Sequence, residues 1–149
     1  MACDLSPSSS IVAAGGLNNK TSIYSLHPDR PLVTSPTLEL SNTHHMLAAC
    51  KFLSNNTIVS AHGPDCSITN IERSNSSTRM RCHHGQITGL DRVNKYPHNF
   101  VTCSSDRSLR VWDDRMRLPG MKYRVLGELN AVKCCQMQPN ILTTCHDNK

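Results

Sequence analysis

The sequence predicts an all-β chain, a partial β-propeller of about three and a half four-stranded blades whose ring does not close. Three observations predict it. Short β-prone segments recur, namely Ile11-Val12-Ala13, Ile58-Val59-Ser60, Phe100-Val101-Thr102 and Ile141-Leu142-Thr143, with central members at steps of 47, 42 and 41 residues. Periods of this length belong to propeller blades, each a small meander that cannot bury its faces alone. The third copy contains a hairpin pattern, and the fourth reaches Thr143 and Asp147 before Lys149, leaving no residues for its third and fourth strands. The repeats are expected at about residues 1–26, 43–72, 83–114 and 125–149.

Taken in order, the first repeat joins Met1 to Pro7 with a strand through Val12, a Gly-containing turn and a strand ending at Leu26. The second runs from Leu47-Ala-Ala-Cys-Lys-Phe52 through Ile58-Val59 to Thr69-Asn70. Residues Arg73 to Arg81, with a Ser/Asn-rich middle, read as a surface connection. In the third, Phe100 to Cys103 are β-prone, Ser104 to Arg107 supply turn chemistry around Asp106, and Leu109 and Val111 alternate with polar residues before Trp112.

The third copy reads His83, Gly85 and Ile87, then Phe100-Val-Thr-Cys-Ser-Ser-Asp106, then Arg107-Ser-Leu-Arg-Val-Trp112-Asp113. This pattern resembles a WD repeat. The resemblance implies a hydrogen-bonded structural tetrad of His83, Thr102, Asp106 and Trp112, with His84 replacing His83 if the register slips by one. Such a buried network must be fully satisfied to hold a blade together. The other copies lose members of it. Ala13, Asn18 and Tyr24 stand at the corresponding places of the first; the second keeps Ser60 but shifts the acid to Asp65 and has Thr69-Asn70 for Trp-Asp.

Val12-Ala-Ala-Gly-Gly-Leu-Asn-Asn19, Ser22-Ile-Tyr-Ser-Leu26, Asn56-Thr-Ile-Val59, Cys66-Ser-Ile, Ile71-Glu72 and Asn130-Ala-Val132 together resemble heterotrimeric G-protein beta subunits, from within blade two to within blade five. Met1-Ala-Cys3, Asn19-Lys20 and Gly89-Leu-Asp91 lean toward the divergent fifth beta isoform, which pairs with regulator-of-G-protein-signalling proteins. Met1 falls inside what should be a first strand, as in a truncated product, a partial gene reading or a decayed duplicate. An open arc leaves blade faces uncovered, so marginal stability or association with other chains is expected.

Composition narrows the function classes. Lys and Arg number 16 against 11 Asp and Glu, a formal charge of +5, with much of the excess between Arg73 and Arg124 in segments that read as loops. The aromatic residues among these arginines do not form the regular basic-aromatic pattern of a base-stacking platform, so nucleic acid is not expected as a partner. Neither a signal-peptide pattern nor an apolar run of membrane-span length occurs, which places the chain in the cytoplasm. The eight cysteines should then stay reduced, and Cys3 and Cys50, at the repeat position of Leu90 and Val132, read as small buried hydrophobes. Cys82-His83-His84 and Cys145-His146 are adjacent residues and lack zinc-ligand spacing, and Ala14-Gly-Gly-Leu17 lacks the Lys-Ser/Thr of a phosphate loop. No catalytic residue, metal or cofactor is expected. Cys103 follows Thr102 near His83, a proximity that blade packing already explains.

The expected function is therefore a protein-interaction scaffold in signal transduction. By resemblance its partners are a G-protein alpha or gamma-like subunit or a regulator of G-protein signalling, with peripheral membrane association through them. Leu17, Asn19, Met46, Gln86, Thr88 and Glu128 match the family's contact positions. Met46 stands for an aromatic, Gln86 for an acid and Thr88 for a larger apolar residue, changes that weaken a standard alpha-subunit interface. The alternatives are a generic WD-repeat adaptor working through basic loops such as Arg115-Met-Arg117 and Lys122-Tyr-Arg124, or a fragment without function.

Overall fold

The computed structural model describes residues 2–15, 19–26, 35–41, 45–73, 77–116, 118–138 and 140–146, and every regular element among them is a strand. β1 (Ala2–Leu5), β2 (Ile11–Gly15), β3 (Lys20–Ser25) and β4 (Leu38–Ser41) form the first sheet. β5 (Leu47–Phe52), β6 (Thr57–His62), β7 (Asp65–Asn70) and β8 (Ser77–Arg81) form the second. β9 (Ile87–Arg92), β10 (Asn99–Ser104), β11 (Ser108–Asp113) and β12 (Met121–Arg124) form the third, and β13 (Leu129–Cys134) pairs with β14 (Leu142–His146). Each sheet is an antiparallel meander in chain order, and β1, β5, β9 and β13 lie side by side as the inner strands of successive blades.

The period-2 geometry of a strand sends neighbouring residues to opposite blade interfaces. Ile58 packs with Ala13, Ile23 and Phe52 between the first and second sheets, whereas Val59 packs with Cys66, Met80 and Trp112 between the second and third. Phe100 and Val101 divide in the same way, the latter joining Leu109, Leu129 and Val132 against the two-stranded sheet. β6 and β10 are accordingly buried on both faces, at every residue after their first, and carry adjacent apolar residues instead of a strict alternation. Phe100 and Trp112, both essentially inaccessible, stack with ring centroids 6.3 Å apart, and each large side chain so buried contributes about 1.5–3 kcal/mol.

Charged joints also hold the inner strands together. Asp4 on β1 accepts the Phe52 amide at 2.8 Å and Lys51 Nζ at 2.6 Å, both from β5. Asp91 on β9 repeats this two blades on, accepting the Cys134 amide at 2.9 Å with Lys133 Nζ at 3.9 Å. Between them the joint is of another kind, since the aligned position of β5 is Lys51, and Arg92 instead donates to the Phe52 carbonyl at 3.4 Å. Gly89 makes the last joint close, because a β-carbon there would lie 2.9 Å from Cys103 Sγ and 3.0 Å from the Val132 amide.

Several sequence expectations are corrected. Arg73 to Arg81 is not wholly a connection, because Ser77–Arg81 is the outer strand β8, and Lys122 to Arg124 belongs to β12 rather than to a loop. Outer strands are held by backbone pairing on one edge, and here only Met80 of β8 and no residue of β12 is buried, so hydropathy carries little signal. Cys3 is exposed, unlike Cys50, because it lies on the face of the first sheet turned away from the second. Cys103 turns away from His83 into the core against the two-stranded sheet, and burial raises its thiol pKa.

Candidate functional site

The centre of the third blade is a chain of hydrogen bonds running from core to rim. Trp112 Nε1 donates to Thr102 Oγ1 at 2.8 Å, and Thr102 Oγ1 lies 2.7 Å from His83 Nε2. With its oxygen taken by the indole, the Thr102 hydroxyl donates to His83 Nε2, which leaves Nδ1 carrying the proton. Nδ1 donates to Asp106, 3.2 and 3.1 Å from the two carboxylate oxygens, with Ser108 Oγ at 3.1 Å. Asp106 also accepts the His84 amide at 3.0 Å and the Ser108 amide and hydroxyl at 3.0 and 2.6 Å. His84 thus contributes its backbone, and the imidazole in the chain is that of His83.

This geometry sets the charges. Burial lowers the His83 pKa to about 4, against the pull of Asp106, so the ring is neutral at pH 7. Burial pushes the Asp106 carboxyl up, but the Ser108 hydroxyl, the His84 amide and His83 outweigh it and hold the group well below the ordinary carboxylate range. A neutral imidazole with both nitrogens bonded and a carboxylate saturated by donors form a tie between turn and strands, with no atom left for a reacting group.

The other expected residues lie along one rim. Met46, Gln86 and Glu128 directly precede β5, β9 and β13, and all three are exposed. Asn19 occupies the β2–β3 turn, on the same rim because Ala2 pairs with Gly15, while Leu17 lies outside the described residues, as do Asn18 and Asp147. Thr88 is half-buried, its hydroxyl donating to the Leu129 carbonyl. Met46 and Gln86 meet across a depression of about 320 Å³ that His45, Gly63, Pro64, His84 and Gly85 complete. Gly63, at φ 58°, is needed there, since a β-carbon would stand 2.8 Å from the His45 ring. No group of three or more His, Cys, Asp or Glu among the described residues is arranged to hold a metal.

With this geometry in view, comparison with known proteins is direct. The family described as WD domain, G-beta repeat matches residues 74–113. The match thus falls on the stretch that contains the hydrogen-bonded chain of the third blade. It is 37% identical over 91 residues to guanine nucleotide-binding protein subunit beta-1 of Caenorhabditis briggsae, covering 60% of this chain and 26% of that one. The beta subunit of Lymnaea stagnalis is 35% identical and the G(I)/G(S)/G(T) subunit beta-1 of Homarus americanus 36% identical, each over the same coverage. The chain therefore matches about a quarter of the length of these relatives, and its fold is a partial WD40-type propeller.

The second blade shows how a blade of this chain is held without the tetrad. Ser60 sits where Thr102 does and Thr69 opposite Ile58 as Trp112 is opposite Phe100, but Thr69 bonds Ser77 and Asp65 binds Arg79 at 2.6 Å. Ser60 Oγ and His62 Nε2 are buried without a partner among the described residues. Three parts of the intact WD40 site escaped sequence reasoning: Ser108, the His84 amide, and Ser104, whose hydroxyl accepts the Asp106 amide at 3.1 Å. A serine two residues beyond a turn aspartate was the available signal for Ser108.

Proposed function

We propose that the chain is a non-enzymatic protein-interaction scaffold in G-protein signalling, working in the cytoplasm and presenting the rim that carries Asn19, Met46, Gln86 and Glu128 to a partner. The observation that carries this reading is the meeting of Met46 and Gln86 in one depression, where the flanking blades position an exposed apolar side chain beside a polar one. The names of the beta-subunit relatives support a G-protein alpha or gamma-like subunit, or a regulator of G-protein signalling, as partner, with any membrane association arising through it. Thr88 belongs to the same surface in this reading, and Leu17 is assigned to it by the resemblance alone.

The test is binding of the full chain to a GDP-loaded alpha subunit, a gamma subunit and a regulator protein by biolayer interferometry. Saturable binding to one of them, weakened about tenfold by Met46→Ala or Gln86→Ala, is the expected result, as for a residue near an interface centre. Absence of binding to all three, or binding indifferent to both changes, would overturn the assignment.

A further inference from the structure

We propose that the rim beside the tetrad takes an acidic segment of a protein partner, with Arg107 and Arg124 gripping carboxylates and Leu126 supplying an apolar anchor, an inference that rests on the rim being the partner-binding face. A cleft of about 460 Å³ opens there, lined by Asp106, Arg107, Arg124, Val125 and Leu126. Its floor is fixed, since the Arg107 amide donates to Ser104 O at 3.1 Å and the Val125 amide donates to Arg107 O at 3.0 Å. Arg124 pairs with Ser108 in the β11–β12 register, and Lys122 lies on the same side of β12 two residues earlier.

Charge decides what such a cleft would hold. Asp106, the acid in its lining, has its oxygens occupied by His83, the His84 amide and Ser108, and its charge is offset by the Arg110 guanidinium 3.8 Å away. Arg107 and Arg124 in the lining, and Lys122 beside it, form no ion pair among the described residues, so the cleft faces outward as a cationic surface. Guanidinium groups offer paired donors that match a carboxylate in geometry. Leu126 is 99% exposed at the lip, an apolar group placed where an acidic segment with its own apolar side chain would cover it. No aromatic residue lines the cleft, so bases of a nucleic acid would find no stacking platform. Exposed Glu128, two residues past Leu126, repels acid on that side and directs the segment toward the arginines.

The measurement is fluorescence anisotropy of a labelled peptide of alternating glutamate and leucine against the full chain, beside a glutamine-for-glutamate peptide and a single-stranded DNA of equal charge. The acidic peptide should bind, with affinity falling on added salt and at least about tenfold in the Arg107→Asn, Arg124→Gln double variant or in Leu126→Ser. Asparagine is chosen because it tolerates the positive φ of Arg107, and Arg124→Gln alone serves if the double variant does not fold. Equal binding of the glutamine peptide or the DNA, or indifference to the substitutions, overturns the proposal. Should an alpha subunit bind through Met46 and Gln86 while the acidic peptide does not bind, the patch falls and the rim reading stands; the reverse pattern removes the G-protein partner and keeps the patch.

Discussion

Thr102 is the residue on which the tetrad turns, because its one oxygen serves both an indole and an imidazole that are cut off from water. Thr102→Val keeps the shape and removes both bonds. It should lower stability by about 2–3 kcal/mol in urea unfolding, most of it from the stranded His83 and Trp112 nitrogens, while Thr102→Ser should recover most of the loss. His83 adds a pH dependence of definite sign. Its folded pKa of about 4 lies below the ordinary 6.5, so its contribution is complete above pH 6.5 and is lost as pH falls through about 4. Burial lowers His62 in the same direction. Melting curves should show about 2 kcal/mol lost from His83 alone between pH 7 and 5, and a His83→Asn variant, less stable throughout, should have a flatter profile. The four tetrad residues were legible because resemblance ties them to fixed places in one repeat. Ser104 and Ser108 were not, since serines in a turn look alike until the carboxylate they serve is located.

Three hairpin turns on the rim place a residue at positive φ, namely Asn19 at 58°, Gly63 at 58° and Arg107 at 61°. Asparagine and glycine adopt this conformation readily and arginine does not. Arg107→Asn should therefore raise stability by about 0.5–1 kcal/mol in thermal unfolding, even as it weakens the acidic-peptide binding proposed above. Gly89→Ala should do the opposite, because a methyl group there meets the backbone of the next inner strand as well as Cys103 Sγ; loss of cooperativity in the same melts would report that β13 has been pushed off. At this scale the sequence showed the strands buried on two faces, such as Ile58-Val59 and Phe100-Val101. It concealed the outer strands, since Ser-Thr-Arg-Met-Arg of β8 has a single buried apolar residue and the alternation of Met-Lys-Tyr-Arg in β12 is only four residues long and wholly exposed.

Over the molecule as a whole, the face of the third blade turned to the two-stranded sheet leaves Met121 and Tyr123 more than half exposed, beside Val111 and Leu142 in a cleft of about 350 Å³. Met80, on the corresponding face of the second blade, is buried against the core that contains Trp112. Sedimentation velocity should accordingly show association that rises with concentration and is suppressed by Tyr123→Lys with Met121→Lys; a monomer at every concentration would contradict this. The charged joints act at the same scale and were invisible in sequence, since their partners stand a full repeat apart. Along the inner strands the aligned positions read Asp4, Lys51, Asp91 and Lys133, so acid and base alternate from blade to blade. That alternation gives the array a parity. Removing the second blade alone would set the Asp4 carboxylate against that of Asp91, whereas removing the second and third together would bring it to Lys133 and the Cys134 amide, the kind of joint it makes now. Blades of this chain can therefore be lost or copied in pairs at less electrostatic cost than singly, which makes the pair, and not the repeat, its natural unit of rearrangement.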